Sequence, residues 1–200
     1  MAQYKTVIFD IGNVLVRFAW DEYVDALWDR QVADRVTEAI FGNKRWDELD
    51  KGTLSPEEAC QTFIQADPEM ENEIRYTFDH CLDSLHRLDY PIPWLKELRE
   101  RGLQTLFLSN YSKLLWEGKR EVLDFLPYMD GGVFSFQYGV IKPGPEIYRI
   151  LCRKYSLTPA ECIFIDDREE NVAAAAELGF QTILFTEYSQ VKEQLDNYLV

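Results

Sequence analysis

Cysteine is scarce in this chain of 200 residues, and histidine is scarcer. The four cysteines, Cys60, Cys81, Cys152 and Cys162, are scattered, with no C-x-x-C pair and no histidine beside them. That spacing offers no metal or disulfide framework and reads as four reduced, structural thiols of a cytoplasmic protein. His80 and His86 have no ligand partners nearby and read as packing or surface residues. No apolar run approaches the roughly 18–20 residues that cross a bilayer, and Met-Ala-Gln-Tyr-Lys opens without the apolar stretch of a signal peptide. Basic residues are also few. Lys and Arg number 21 against 35 Asp and Glu, a net charge of −14. A field of that sign disfavours nucleic acid and anionic membrane as partners. A small anionic substrate would need a local cation: a metal, a lysine or backbone N–H groups.

What is present is a chain long enough to bury a substantial core, 46 % hydrophobic, sized as one large domain or one domain with an insertion. Residues 5–9 read as a buried strand that stops at Asp10. From about residue 103 to 185 short apolar runs alternate with amphipathic segments. Leu106–Leu108, Gly132–Ser135, Ile163–Ile165 and Thr182–Phe185 read as strands; Pro93–Arg101, Ser112–Phe125, Pro145–Tyr155 and Glu170–Leu178 read as helices. Gly102 and Gly179 stand where left-handed helix stops belong. Such alternation predicts right-handed βαβ crossovers and an α/β, three-layer Rossmann-like parallel sheet. A last helix is expected over Tyr188–Leu199.

Residues 17–90 follow another pattern. Asp21–Phe41, Pro56–Gln65 and Pro68–Leu85 are helix-like, acidic and without a convincing strand. Ser55-Pro56-Glu57-Glu58 is a helix start, with an N-cap serine, proline at N1 and acids in the first turn. The division expected is a core of 1–16 and 91–200 with an inserted all-helical cap, 17–90, over the carboxyl ends of the sheet. Trp20, Trp28, Phe41, Trp46 and Tyr76 are expected to form the cap's own core.

Four pieces stand at predicted strand ends or in the loops that follow. They are Asp10 in Phe9-Asp10-Ile11-Gly12-Asn13, Ser109-Asn110 after Leu106–Leu108, Lys142-Pro143 ahead of a helix, and Asp166-Asp167 with Asn171 beyond them. Ligands of open α/β sheets bind at such ends. Three carboxylates gathered there repel one another unless a hard cation sits among them. Each piece alone has an ordinary explanation: a turn aspartate, a surface lysine, a serine cap, an acidic helix start. The ordered set resembles the haloacid dehalogenase superfamily in its helical-cap branch, over nearly the whole chain.

The resemblance implies an aspartyl-phosphate mechanism. Asp10 would be the nucleophile, Ser109 and the Asn110 N–H would bind a phosphate oxygen, and Lys142 would neutralise phosphate charge. Asp166 and Asp167 would hold Mg²⁺ with Asp10 and the Gly12 carbonyl. The substrate implied is a small phosphorylated metabolite, with hexose 1-phosphates as candidates because sugar 1-phosphate phosphatases share an Asp-x-Gly-Asn start. The other readings are a non-catalytic or regulatory binding protein on the same fold, a 2-haloacid dehalogenase or a phosphomutase, in a monomer or homodimer. Gly12 is the departure: phosphatases of this kind usually carry there a second aspartate that protonates the leaving group. Either a cap residue replaces it (Asp21, Glu22, His80 and His86 are candidates), or the leaving group is acidic enough to depart unaided, or catalysis is slow or lost.

Overall fold

The computed structural model describes residues 4–199. Its centre is a five-stranded parallel sheet in the order β5-β4-β1-β6-β7. The strands are β1 (Thr6–Phe9), β4 (Gln104–Ser109), β5 (Gly131–Phe134), β6 (Cys162–Asp166) and β7 (Gln181–Leu184). β1 is central because its residues are apolar on both faces, as a strand covered from both sides requires. Val7 and Phe9 pack toward Trp94, Leu98, Val191 and Leu195, which belong to α6 (Pro91–Glu100) and α10 (Tyr188–Tyr198). Ile8 packs toward Ile147, Tyr148, Leu151 and Ala175, on α8 (Pro145–Tyr155) and α9 (Glu169–Glu177). Two helical layers thus enclose the sheet, as the alternating pattern predicts. Gly102 and Gly179 take the left-handed conformation expected of them, at φ +78° and +90°.

The chain runs outward from β1 to β4 and β5, then returns to the other side of β1 for β6 and β7. The reversal leaves a crevice at the carboxyl ends of β1 and its neighbours. Phe9 is in register with Phe107 on one side and Ile165 on the other, so Asp10 and Asp166 come to the same level.

Between β1 and α6 lie five helices: α1 (Trp20–Leu27), α2 (Arg30–Phe41), α3 (Arg45–Lys51), α4 (Pro56–Ala66) and α5 (Glu71–Asp79). α4 starts at the N-cap serine as expected, and there Ser55 and Glu58 also form a capping box. Other details differ from expectation. An antiparallel ribbon, β2 (Val16–Phe18) with β3 (Leu85–Arg87), stands at the neck of this helical segment. The segment expected to be helical over Asp21–Phe41 breaks at Asp29, whose carboxylate accepts the Val32 N–H and caps a second helix. The helix expected over Ser112–Phe125 is only α7 (Lys113–Gly118) followed by 3₁₀ turns. No sequence signal was read for α3, which reaches the site described next.

Candidate active site

Asp10 begins the loop after β1, and its N–H is fixed by the Ile165 carbonyl at 2.8 Å. The chain then turns tightly: the Ile11 carbonyl accepts from the N–H groups of Leu15 and Val16 at 2.8 and 2.9 Å. Asn13 holds the turn in the left-handed region, φ 54°, which asparagine tolerates better than most side chains. Its Oδ1 accepts the Phe18 N–H at 3.0 Å, and its Nδ2 donates to Asp167 Oδ2 at 3.2 Å. Asn13 therefore links the turn to the second acidic strand end, a role the sequence reading did not assign. At Gly12 an added Cβ would meet nothing within 4 Å, so crowding does not account for the glycine.

The structure brings Asp10, Asp166 and Asp167 together, with a carboxylate oxygen from each within 4.8 Å of the others. Lys142 lies among them, 2 % exposed. Its Nζ is 2.8 Å from Asp10 Oδ1 and 2.6 Å from Asp166 Oδ2, with the directed hydrogen bond going to Asp166. Asn110 holds the lysine by its backbone: Nδ2 donates to the Lys142 carbonyl at 2.9 Å, and Oδ1 accepts the Lys142 N–H at 2.8 Å. Asp166 Oδ1 accepts from the Arg168 N–H and from Asn171 Nδ2, both at 2.9 Å. Ser109 Oγ is buried at the end of β4 and has no partner among the described residues.

Burial pushes the Asp10 carboxyl up to about 7; Lys142 opposes the shift, and Asp166 and Asp167 reinforce it. Burial also raises Asp167, with the Asp166 charge adding to it and the Asn13 hydrogen bond opposing it. For Lys142 burial disfavours the charge, but the carboxylates of Asp10 and Asp166 outweigh it and hold the pKa above the usual lysine value. One ammonium is thus set against three carboxylates. The donors are all oxygen, as Mg²⁺ prefers, and among the described residues both Asp10 Oδ1 and Ser109 Oγ lack a directed hydrogen bond. The residues present fit a hard divalent cation beside an anion.

A cavity of about 300 Å³ opens over this cluster. Phe18, Phe41, Trp46, Leu85 and Leu115 supply apolar wall, while Asp50, Asn110 and Lys142 line it with polar groups. Of the aromatic residues expected to be the cap's own core, Tyr76 is instead exposed, and others have two roles. Trp20, Phe41 and Trp46 pack on one another, and the last two also face the cavity. The four cap candidates for a proton donor, Asp21, Glu22, His80 and His86, are exposed and are not among the cavity's lining residues. The acids that do line it from the helical segment are Asp47 and Asp50, which the sequence reading missed. The four cysteines are free, three of them buried.

A family model of haloacid dehalogenase-like hydrolases matches residues 4–179. The chain belongs to that family. This hydrolase is 27 % identical over 184 residues to a sesquiterpene phosphatase of Aspergillus oryzae, a match covering 92 % of this chain and 91 % of the relative. It is 28 % identical over 191 residues to a D-ribitol-5-phosphate phosphatase of Bacteroides thetaiotaomicron, covering 89 % and 90 % of the two chains. Its fold matches that of a haloacid dehalogenase family enzyme from Bacteroides thetaiotaomicron, solved in complex with magnesium and inorganic phosphate. The TM-score is 0.70 at 21 % identity, over 94 % of this chain and 98 % of that one. No helix of the hydrolase, among the described residues, is long and apolar enough to cross a membrane.

Proposed function

We propose that the hydrolase is a Mg²⁺-dependent phosphatase that cleaves a small phosphate monoester through a phosphoryl group carried on Asp10. The observation that carries this reading is the convergence of Asp10, Asp166 and Asp167 within 4.8 Å, with buried Lys142 among them. Asp10, Asp166, Asp167 and the Gly12 carbonyl would hold Mg²⁺. When bound, Mg²⁺ supplies charge neutralisation to the carboxylates and to the phosphoryl oxygens, without which an anion does not attack an anion. Asp10 attacks phosphorus. Lys142 neutralises charge on both nucleophile and phosphoryl group, and Asn110 fixes its position. Ser109 Oγ, without a partner among the described residues, donates to a phosphoryl oxygen together with the Asn110 N–H. The same acidic cluster disfavours a 2-haloacid dehalogenase, which has no use for it.

The cavity suits a leaving group about the size of a hexose, with aromatic walls for the apolar face of a sugar ring. Hexose 1-phosphates remain the substrates favoured by the Asp-x-Gly-Asn start. The assignment of residues 17–90 as a specificity cap rests on its helices supplying Phe41, Trp46, Asp47 and Asp50 to that cavity. A panel of sugar, polyol and isoprenyl phosphates, scored for phosphate release, orders these substrates. The test of mechanism is Asp10→Asn, expected to keep the fold and lower turnover by at least a thousandfold. Beryllofluoride with Mg²⁺ should form an adduct on Asp10 of the wild type, seen by fluorine NMR, and none on the variant. Wild-type rates in Asp10→Asn would overturn the reading.

A further inference from the structure

Gly12 leaves the departing oxygen of the substrate without a proton donor from the loop after β1. A different acid stands over the same cavity. Asp50, near the carboxyl end of α3, is 9 % exposed and lines the cavity together with Asp10 and Asn110. Trp46, one helical turn earlier, donates Nε1 to Asp50 Oδ1 at 3.2 Å; among the described residues no donor reaches Oδ2. The backbone of Asp50 is tied to the turn that follows β5. Its carbonyl accepts from Ser135 Oγ at 2.6 Å, and that hydroxyl in turn accepts the Tyr111 N–H at 2.9 Å. One buried serine thus fixes Asp50 relative to the loop after β4, which carries Asn110 and Tyr111. Gly52 closes α3 at φ +71°, where a Cβ would stand 3.0 Å from the Phe136 carbonyl oxygen, so the end of the helix is seated closely on the core.

We propose that Asp50 is the general acid of the reaction, a catalytic residue supplied by the helical insert in place of the aspartate missing at position 12. The proposal rests on the phosphatase reading. As Asp10 forms its bond to phosphorus and the bond from phosphorus to the leaving oxygen breaks, the Asp50 carboxyl gives its proton to that oxygen, releasing an alcohol. Asp50, now a carboxylate, then takes a proton from the water that attacks the phosphoryl-aspartate. The bond between phosphorus and Asp10 breaks, phosphate leaves, and Asp50 is again an acid.

The electrostatics around Asp50 agree with that starting state. Burial pushes its carboxyl up to about 8, Asp47 on the same helix adds to the shift, and the Trp46 hydrogen bond opposes it. Across the cavity Asp10 raises it and Lys142 lowers it; the Tyr111 phenol also feels the Asp50 charge. At neutral pH the group is therefore mostly protonated. Burial raises the carboxyl of Asp47 as well, but Asp47 is only half-buried in the cavity wall, and Lys44, Lys51 and Arg168 oppose the shift.

The test is a leaving-group series, from 2,4-dinitrophenyl phosphate to a primary alkyl phosphate. The intact chain is assayed with Mg²⁺ as wild type, Asp50→Asn and Asp47→Asn. Asp50→Asn is expected to lose ~10²–10⁴-fold in kcat/KM toward the alkyl ester and less than tenfold toward the dinitrophenyl ester, whose leaving group needs no proton. Asp47→Asn is expected to keep the leaving-group slope and to move the high-pH limb of the alkyl rate downward, because it removes the charge that raises the Asp50 carboxyl. In wild type the alkyl rate should fall as pH rises through about 8, and that limb should be absent from Asp50→Asn. An equal loss on every ester would make Asp50 structural and overturn the assignment, as would an unchanged alkyl rate in Asp50→Asn. Wild type that releases no phosphate from any ester would overturn the phosphatase reading itself, a failure visible before any variant is compared.

Discussion

Asp166 and Asp167 are adjacent, yet their surroundings give them different duties. Asp166 is fully buried, and both of its oxygens are engaged: Lys142 on one, the Arg168 N–H and Asn171 on the other. Asp167 is half-buried and accepts from Asn13 on one oxygen alone. Asp167 is therefore the residue freer to meet a cation, while Asp166 also compensates a buried ammonium. Asp167→Ala should raise the Mg²⁺ concentration for half-activity at least tenfold, about 1.4 kcal/mol of binding, with little change in urea midpoint. Asp166→Ala should weaken Mg²⁺ and also cost about 3 kcal/mol of stability, because Lys142 loses a partner inside the protein. Urea unfolding beside Mg²⁺ titration separates the two effects. Equal stability of both variants would contradict this division.

At the scale of elements, α3 matters most for its length. It spans only Arg45–Lys51, far too short to be stable alone, and it is held by what it packs against. Phe41, Phe63 and Phe78 surround Trp46, and Gly52 lets the helix end approach Phe136. An alanine at position 52 would meet both an unfavourable φ and the Phe136 carbonyl. Gly52→Ala should therefore cost about 1–2 kcal/mol and slow alkyl phosphates more than dinitrophenyl phosphate, because α3 carries Asp50. Ser55→Ala is the control. It removes the capping box of α4 for about 1 kcal/mol and should leave the leaving-group dependence as it was.

Over the whole molecule the net charge of −14 opposes the approach of a phosphate dianion. The cavity's exposed cations, Lys44 and Arg168, are few against it. Raising ionic strength from 0.01 to 0.15 M shortens the screening length from about 30 to about 8 Å. At fixed free Mg²⁺, kcat/KM for a dianionic ester should then rise by a few-fold rather than fall. A fall would show that the local cations, and not the net charge, govern encounter.

Much of the candidate site was legible because carboxylates at strand ends leave a local trace. β1 and β6 are apolar runs that stop at a carboxylate, and a parallel sheet of this order must place such ends side by side. The start of α4 and the stops at Gly102 and Gly179 were readable for the same reason, since each depends on one or two residues and their neighbours. The β2–β3 ribbon was not. Its strands are three residues long, and Val16 pairs with Arg87, so nothing nearby in the chain signals either partner. Asp50 was hidden in the same way. Trp46 four residues before it and Gly52 two after it are consistent with a helix end, but they do not say what that end faces. Its burial, its tie through Ser135 to the loop after β4 and its place over Asp10 come from packing the helical segment on the sheet. That packing joins residues dozens of positions apart, so the order of strand ends was written in the sequence while the seating of α3 was decided only by the tertiary structure.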